Sequence, residues 1–137
     1  MTSRRAVMLA WLPALAYMAA IWAISSLSLG PLPLDRFPLR DKGIHFLEYG
    51  LLGFLVAHAA FRTWPRHARW RTAAVAIWIT VLWGLLDEIH QAFVPGRESE
   101  LLDVVADGAG ALAGTVLRRL LSRVRRALRP RRAEGAA

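Results

Sequence analysis

The sequence predicts an all-α, polytopic membrane protein with four transmembrane helices and a basic amphipathic C-terminal helix. First, 55% of the 137 residues are hydrophobic, whereas only 20% are charged, and the charges are bunched. Second, four apolar runs approach the roughly 20 residues that a helix needs to cross a bilayer. Third, basic residues are concentrated in alternate connecting segments, as in membrane proteins of defined orientation. We expect one four-helix membrane domain over residues 1–121 and a basic cytoplasmic tail over residues 122–137.

The first two predicted spans are residues 6–27 and 44–61. Residues 6–27 form a run of 22 without a charged side chain. Because the apolar core of a signal peptide is shorter, we predict that this helix is retained. The segment 28–42 contains Pro31, Pro33 and Pro38, which exclude a continuous helix and predict a connecting loop. The second run lies at the lower edge of spanning length.

The third and fourth predicted spans are residues 72–93 and 101–121. Asp103 and Asp107 make the fourth span the most polar. Gly110 and Gly114 form a small-xxx-small pattern, which allows close packing of membrane helices, and we assign a packing role to Gly84 as well. Eight arginines lie between residues 118 and 132, with leucines at helical spacing. This pattern predicts an amphipathic helix that contacts anionic lipids at the cytoplasmic face.

The charge distribution predicts that both termini are cytoplasmic. Two basic residues precede the first span, four lie in residues 62–71 and eight in the tail, whereas the other loops and their helix ends hold four. Lys and Arg in short flanking segments stay on the cytoplasmic side. Nine of the ten acidic residues lie in or beside the opposite loops. A net charge of +8 would suggest nucleic acid for a soluble protein, but this segregation indicates a lipid bilayer as partner and no nucleic acid.

This topology brings the outer ends of spans two, three and four to the same depth. His45, Glu48 and Tyr49 share one helix face because of their i, i+3, i+4 spacing. Asp87 and Glu88 point about 100° apart around the third span. Ionisable residues in membrane helices are a functional-site hypothesis. The predicted ligand-binding residues are Lys42, His45, Tyr49, Asp87, Glu88, His90, Gln91, Arg97, Asp103 and Asp107.

Three motifs at these ends are similar to those of a known family. They are Asp41-Lys42-x-x-His45-Phe46-x-x-Tyr49, Gly84-x-x-Asp87-Glu88-x-His90-Gln91-x-Phe93-x-Pro95-Gly96-Arg97 and Asp103-x-x-x-Asp107-x-x-Gly110. In this order, over residues 41–117, the chain resembles the VanZ-like family, which is named for a teicoplanin-resistance determinant. The resemblance implies a small multi-pass protein of the bacterial inner membrane, without a settled biochemical activity. Asp107 departs from the family pattern, in which Asn is more usual.

Three functions remain open for the polar residues. They could bind an anionic envelope ligand of the lipid-linked or peptidoglycan-precursor type, with Lys42 and Arg97 on its phosphate or carboxylate groups. A link to glycopeptide susceptibility comes from the resemblance alone. They could instead form a purely structural packing cluster. They could also belong to a metal- or acid/base-dependent membrane enzyme with a lipid-linked substrate. The catalytic candidates are His45, Glu48, Asp87, Glu88 and His90, and a metal would draw on these and Asp103. We predict no cofactor and no metal, and the oligomeric state stays open.

Overall fold

The described part of the chain consists of four α-helices that run up and down in one bundle. A computed structural model describes residues 3–28, 40–97 and 99–128, without the side chains of residues 40 and 41. The helices are α1 (Arg4–Ser25), α2 (Arg40–Thr63), α3 (Arg69–Gln91) and α4 (Leu101–Ala127). The all-α fold class is therefore confirmed. The expectations for residues 29–39, for Glu98 and for residues 129–137 lie outside the described residues.

The local sequence explains where the helices begin and end. Ser3 caps α1, because its hydroxyl accepts a hydrogen bond from the Ala6 N–H at 3.2 Å. Pro95 and Gly96 follow α3, and Gly96 has a φ of +81°, which glycine adopts without steric cost. α2 and α3 begin before the predicted spans because their first turns contain charged residues that a purely apolar criterion omits.

The end of the fourth helix differs most from the prediction. The predicted amphipathic C-terminal helix is not a separate element, because α4 continues unbroken through residue 121 to Ala127. No proline or glycine lies between residues 115 and 129, so the backbone has no local reason to end the helix there. The fourth predicted span and the start of the basic tail are thus parts of the same helix.

Burial in the bundle is reversed relative to a soluble protein. Small side chains fill the interior: Ala14, Ala57 and Ala76 have no exposed surface. Many large apolar side chains point outward, and Leu47 and Trp78 are 70% and 66% exposed. Small interior residues let membrane helices approach one another, and lipid solvates the large apolar ones. The arrangement therefore fits a bilayer and not water.

Three of the described helices are long and apolar enough to cross a membrane, namely the ranges Arg4–Ser25, Lys42–Thr63 and Arg69–Gln91. α4 is not among them, because it carries two aspartates and five arginines. It buries one face at Asp103, Asp107 and the small residues that follow, whereas Val105, Leu112 and Val116 are exposed. α4 is thus an amphipathic helix whose polar face lies against the bundle.

α2 is the central helix of the bundle. It packs against α1, α3 and α4, and its interface with α4 is the most extensive. At that interface Gly50 and Gly53 of α2 face Gly110, Ala111 and Gly114 of α4. A Cβ atom added to Gly53 would lie 2.6 Å from the carbonyl oxygen of Ala111. The two backbones are therefore in direct contact. The Gly110 and Gly114 pattern predicts close packing by α4 but does not identify the α2 side of the contact.

Candidate functional site

The C-terminal ends of α1 and α3 meet the N-terminal ends of α2 and α4, and we call this region the polar end. All ten predicted ligand-binding residues lie here. Four of its carboxylate residues are almost fully buried: Asp87, Glu88, Asp103 and Asp107 have exposed fractions of 1–3%. A buried charge needs partners. The partners divide the polar end into two groups.

The first group joins α1 to α3, and we call it the α1 latch. It consists of Trp22, Ser25, Ser26, Asp87, His90, Gln91 and Arg97. Ser25 Oγ donates a hydrogen bond to Asp87 Oδ1 at 2.5 Å, and Gln91 Nε2 donates to Asp87 Oδ2 at 2.9 Å. The His90 ring stacks on Trp22 with the ring centroids 4.1 Å apart. Both oxygens of the Asp87 carboxylate thus have partners within the protein.

Arg97 belongs to the same latch through backbone carbonyl groups. Its Nε donates to Leu27 O at 3.2 Å and its Nη2 to Ile24 O at 3.0 Å. A cation that binds the last carbonyls of a helix satisfies them and interacts favourably with the helix dipole. The sequence pattern predicts an anion contact for Arg97. In the structure its guanidinium caps α1, and ligand binding by Arg97 stays a prediction.

Ser26 and His90 form a hydroxyl–imidazole pair, but its geometry does not activate a nucleophile. Ser26 Oγ lies 2.9 Å from His90 Nε2 and also donates to Trp22 O at 2.6 Å. Because the single hydroxyl proton is directed at the carbonyl, His90 Nε2 acts as the donor in this pair. An activated serine requires the opposite, a base that accepts the hydroxyl proton. The pair therefore contributes to the latch.

The second group lies between α2, α3 and α4, and we call His45, Glu88 and Asp107 the His45 cluster. His45 Nδ1 lies 3.0 Å from Asp107 Oδ1 and 3.9 Å from Glu88 Oε1. Glu88 Oε2 also accepts a hydrogen bond from the Glu100 N–H at 3.2 Å. Glu88 faces His45 and Asp87 faces α1, because adjacent residues project about 100° apart on a helix. The cluster thus holds one imidazole between two carboxylates.

Lys42 lies beside this cluster at the end of the bundle. Its Nζ contacts Glu100 Oε2 at 2.6 Å and Asp103 Oδ1 at 2.9 Å. The Asp103 side chain is buried, whereas those of Lys42 and Glu100 are 21% and 46% exposed. Lys42 therefore links the start of α2 to the start of α4 and keeps some access to solvent.

Two buried polar atoms near the His45 cluster have no hydrogen-bond partner among the described residues. They are the Tyr49 hydroxyl and Asp107 Oδ2. Both residues pack against Gly84, where an added Cβ would lie 2.7 Å from Asp107 Oδ2 and 3.0 Å from Tyr49 Cε1. Gly84 thus makes room on α3 for the aspartate of α4. The large majority of buried side-chain polar atoms in proteins have a partner, so two unpaired atoms at one place call for a reason.

The sequence pattern does not reveal several residues of the polar end. Ser25 and Ser26 look like an ordinary polar end of the first apolar run, and only their position beside α3 makes them part of the latch. Glu100 directly precedes α4 and belongs to none of the three sequence motifs. Glu48, a catalytic candidate, is half-buried on α2 with His45, Asp87 and Asp107 as its electrostatic neighbours. Two adjacent serines near the end of the charge-free run were the available signal for the latch.

The fold and the polar end define a small helical membrane protein with ionisable residues buried at one end of its bundle. A family model described as VanZ/LLP1 matches residues 4–122, and the chain belongs to this family. The resemblance of the three motifs to the VanZ-like family is thereby confirmed. No curated protein and no solved structure matches the chain at a significant level.

Proposed function

We propose that the polar end binds an anionic ligand of the bacterial envelope, of the lipid-linked or peptidoglycan-precursor type, at the His45 cluster. The observation that carries the proposal is the pair of unpartnered buried atoms, the Tyr49 hydroxyl and Asp107 Oδ2. A ligand held at the cluster would account for both atoms. Membership of the VanZ/LLP1 family, with apolar helices, is consistent with a lipid-linked ligand.

Lys42 is the cation that we assign to the anionic part of the ligand. The side chain of its present partner Glu100 is already 46% exposed. If a phosphate oxygen replaced Glu100 as the partner of Lys42, little buried surface would become exposed. An exposed ion pair contributes only about 0–1 kcal/mol, so the exchange costs little. The contact with buried Asp103 at 2.9 Å would keep the ammonium group in place.

We propose that the latch residues have a structural role, which is the alternative function for that part of the polar end. The contacts of Asp87 support this structural role, because Ser25 and Gln91 already donate hydrogen bonds to both of its carboxylate oxygens. Hydrogen bonds between membrane helices contribute about 0.6–2 kcal/mol each and set how the helices pack.

Ligand binding is tested with the purified full-length protein in nanodiscs of neutral lipid. The probe is a fluorescent polyprenyl diphosphate that carries a saccharide–peptide head group. We expect His45→Gln to weaken binding about tenfold, because it removes a hydrogen-bonding group worth about 1.5–3 kcal/mol when its partner is charged. The matched control is His58→Gln on the same helix at the opposite end, where His58 accepts from Arg118. Equal affinities of wild type and His45→Gln would contradict the proposal.

We also propose that the polar end faces outward, that α4 spans the membrane and that both termini are cytoplasmic. At the opposite end, arginines from α2 and α3, including Arg62 and Arg69, lie near those of α4, including Arg118 and Arg126. Such a group suits anionic lipids of the cytoplasmic leaflet, at about 1 kcal/mol per arginine near the surface.

The orientation is tested with reporter fusions to the full-length chain in a bacterial host. A C-terminal green fluorescent protein is expected to fluoresce, because it folds only on the cytoplasmic side. Alkaline phosphatase inserted between α3 and α4, within residues 92–100, is expected to be active, because it folds only outside. The reverse pattern would place the arginines outside and contradict both the topology and the proposed lipid contact.

A further inference from the structure

Among the side chains of the polar end that the structure describes, carboxylates outnumber cations. Its described carboxylate residues are Glu48, Asp87, Glu88, Glu100, Asp103 and Asp107. Lys42 lies between Glu100 and Asp103, and the guanidinium of Arg97 is directed at backbone carbonyls. Glu88 and Asp107 are left to face each other across His45. Two buried carboxylates beside one imidazole repel an anionic ligand unless a further positive charge is present.

The His45 cluster is close to the dimensions of a metal site. One ligand atom from each of His45, Glu88 and Asp107 can be chosen so that all three lie within 4.8 Å of one another. His45 Nδ1 is already 3.0 Å from Asp107 Oδ1 and 3.9 Å from Glu88 Oε1. Ligand atoms about 2.0–2.2 Å from a zinc ion lie roughly 3–3.5 Å apart. Small side-chain movements would therefore bring all three atoms to bonding distance.

The unpartnered buried atoms are a second, independent sign that a ligand belongs here. Tyr49 has no exposed surface and its hydroxyl has no partner among the described residues. It lies on the Gly84 side of the cluster, next to Asp107, whose Oδ2 is also unpartnered. Metal-binding carboxylates commonly receive a hydrogen bond from a neighbouring group that orients them. Because Tyr49 and Asp107 both pack against Gly84, we assign this role to the Tyr49 hydroxyl.

We infer that His45, Glu88 and Asp107 bind a divalent metal ion, with Zn²⁺ as the best fit. Imidazole and carboxylate are both zinc ligands, and three protein ligands that leave one position open are typical of catalytic zinc sites. Here each of the three comes from a different helix. Mg²⁺ and Ca²⁺ prefer oxygen ligands alone, so the imidazole disfavours them. We assign the open position to a phosphate oxygen of the envelope ligand, and this assignment rests on the proposed function. The cation then neutralises the two carboxylates and bridges them to the anion.

The test titrates the purified, chelator-treated full-length protein in detergent with Zn²⁺ alone, and with Mg²⁺ for comparison. We expect one Zn²⁺ per chain and a raised unfolding temperature, since a ligand that binds only the folded state stabilises it. His45→Gln and the isosteric Asp107→Asn are expected to weaken Zn²⁺ binding roughly tenfold or more. His58→Gln is expected to leave it unchanged. Each variant is first shown to be folded by its cooperative thermal unfolding without metal.

Two results would overturn the metal site: no Zn²⁺ binding by folded wild-type protein, or equal Zn²⁺ affinity of wild type and both cluster variants. The polyprenyl diphosphate probe separates this inference from the proposed function. If the probe binds equally well with chelator and with Zn²⁺, the bridging cation is wrong and ligand binding stands. If Zn²⁺ binds at the cluster and the probe does not bind, the metal site stands and the proposed ligand is wrong.

Discussion

Gly114→Ala and Gly110→Ala are each expected to lower the free energy of unfolding by about 3 kcal/mol or more. A Cβ atom on Gly114 would overlap the carbonyl oxygen of Gly50 and lie 2.8 Å from the N–H nitrogen of Phe54. On Gly110 it would overlap Phe46 O and lie 2.9 Å from Gly50 N. Overpacking usually costs about 1–3 kcal/mol, and backbone atoms cannot rotate away as side chains do. The helices must separate to admit the methyl group.

The matched control for these variants is Gly108→Ala on the same helix. A Cβ atom on Gly108 meets only Val81 Cγ2, at 3.9 Å, which is ordinary contact. Since alanine favours a helix over glycine by about 1 kcal/mol, this control is expected to be neutral or slightly stabilising. The measurement is unfolding by sodium dodecyl sulfate in mixed micelles, together with the amount of protein in the membrane. If Gly114→Ala and Gly108→Ala have the same free energy of unfolding, α2 and α4 are not in direct backbone contact at Gly114.

Ser25→Ala is expected to lower the free energy of unfolding by about 2 kcal/mol. The change removes one of the two hydrogen bonds to the Asp87 carboxylate, which is 2% exposed. A hydrogen bond to a charged group contributes about 1.5–3 kcal/mol, and a buried charge that loses a donor keeps its desolvation cost. Ser26→Ala is the matched control. Its hydroxyl is exposed, so water can replace its lost hydrogen bonds and the expected change is smaller.

A double-mutant cycle separates the Ser25–Asp87 contact from unrelated effects of the two substitutions. Asp87→Ala alone is expected to cost at least as much as Ser25→Ala, because Gln91 also loses its acceptor. The double variant is expected to be little worse than Asp87→Ala alone, since the contact can be lost only once. Strictly additive effects in the same mixed-micelle titration would show that the two side chains do not interact.

The helices are predictable from the sequence to within a few residues, and the reasons for the differences are local. α2 and α3 extend beyond the apolar runs because charged side chains at the membrane surface are compatible with a helix. The sequence also predicts which residues form the polar end, since Asp87, Glu88, Asp103 and Asp107 interrupt otherwise apolar or small-residue segments. It does not predict their partners. Asp87 joins α1 through Ser25, whereas its neighbour Glu88 joins α2 and α4.

The sequence by itself determined that apolar helices form and that their acidic residues gather at one end. These features are local, because each apolar residue and each buried charge contributes its own transfer free energy. Only the tertiary structure decided how each helix is rotated about its axis and which helix it touches. That rotation places Gly110 and Gly114 against the backbone of α2 and seats Asp107 beside Gly84 and His45. It depends on contacts between residues far apart in the chain, and no single segment carries that information.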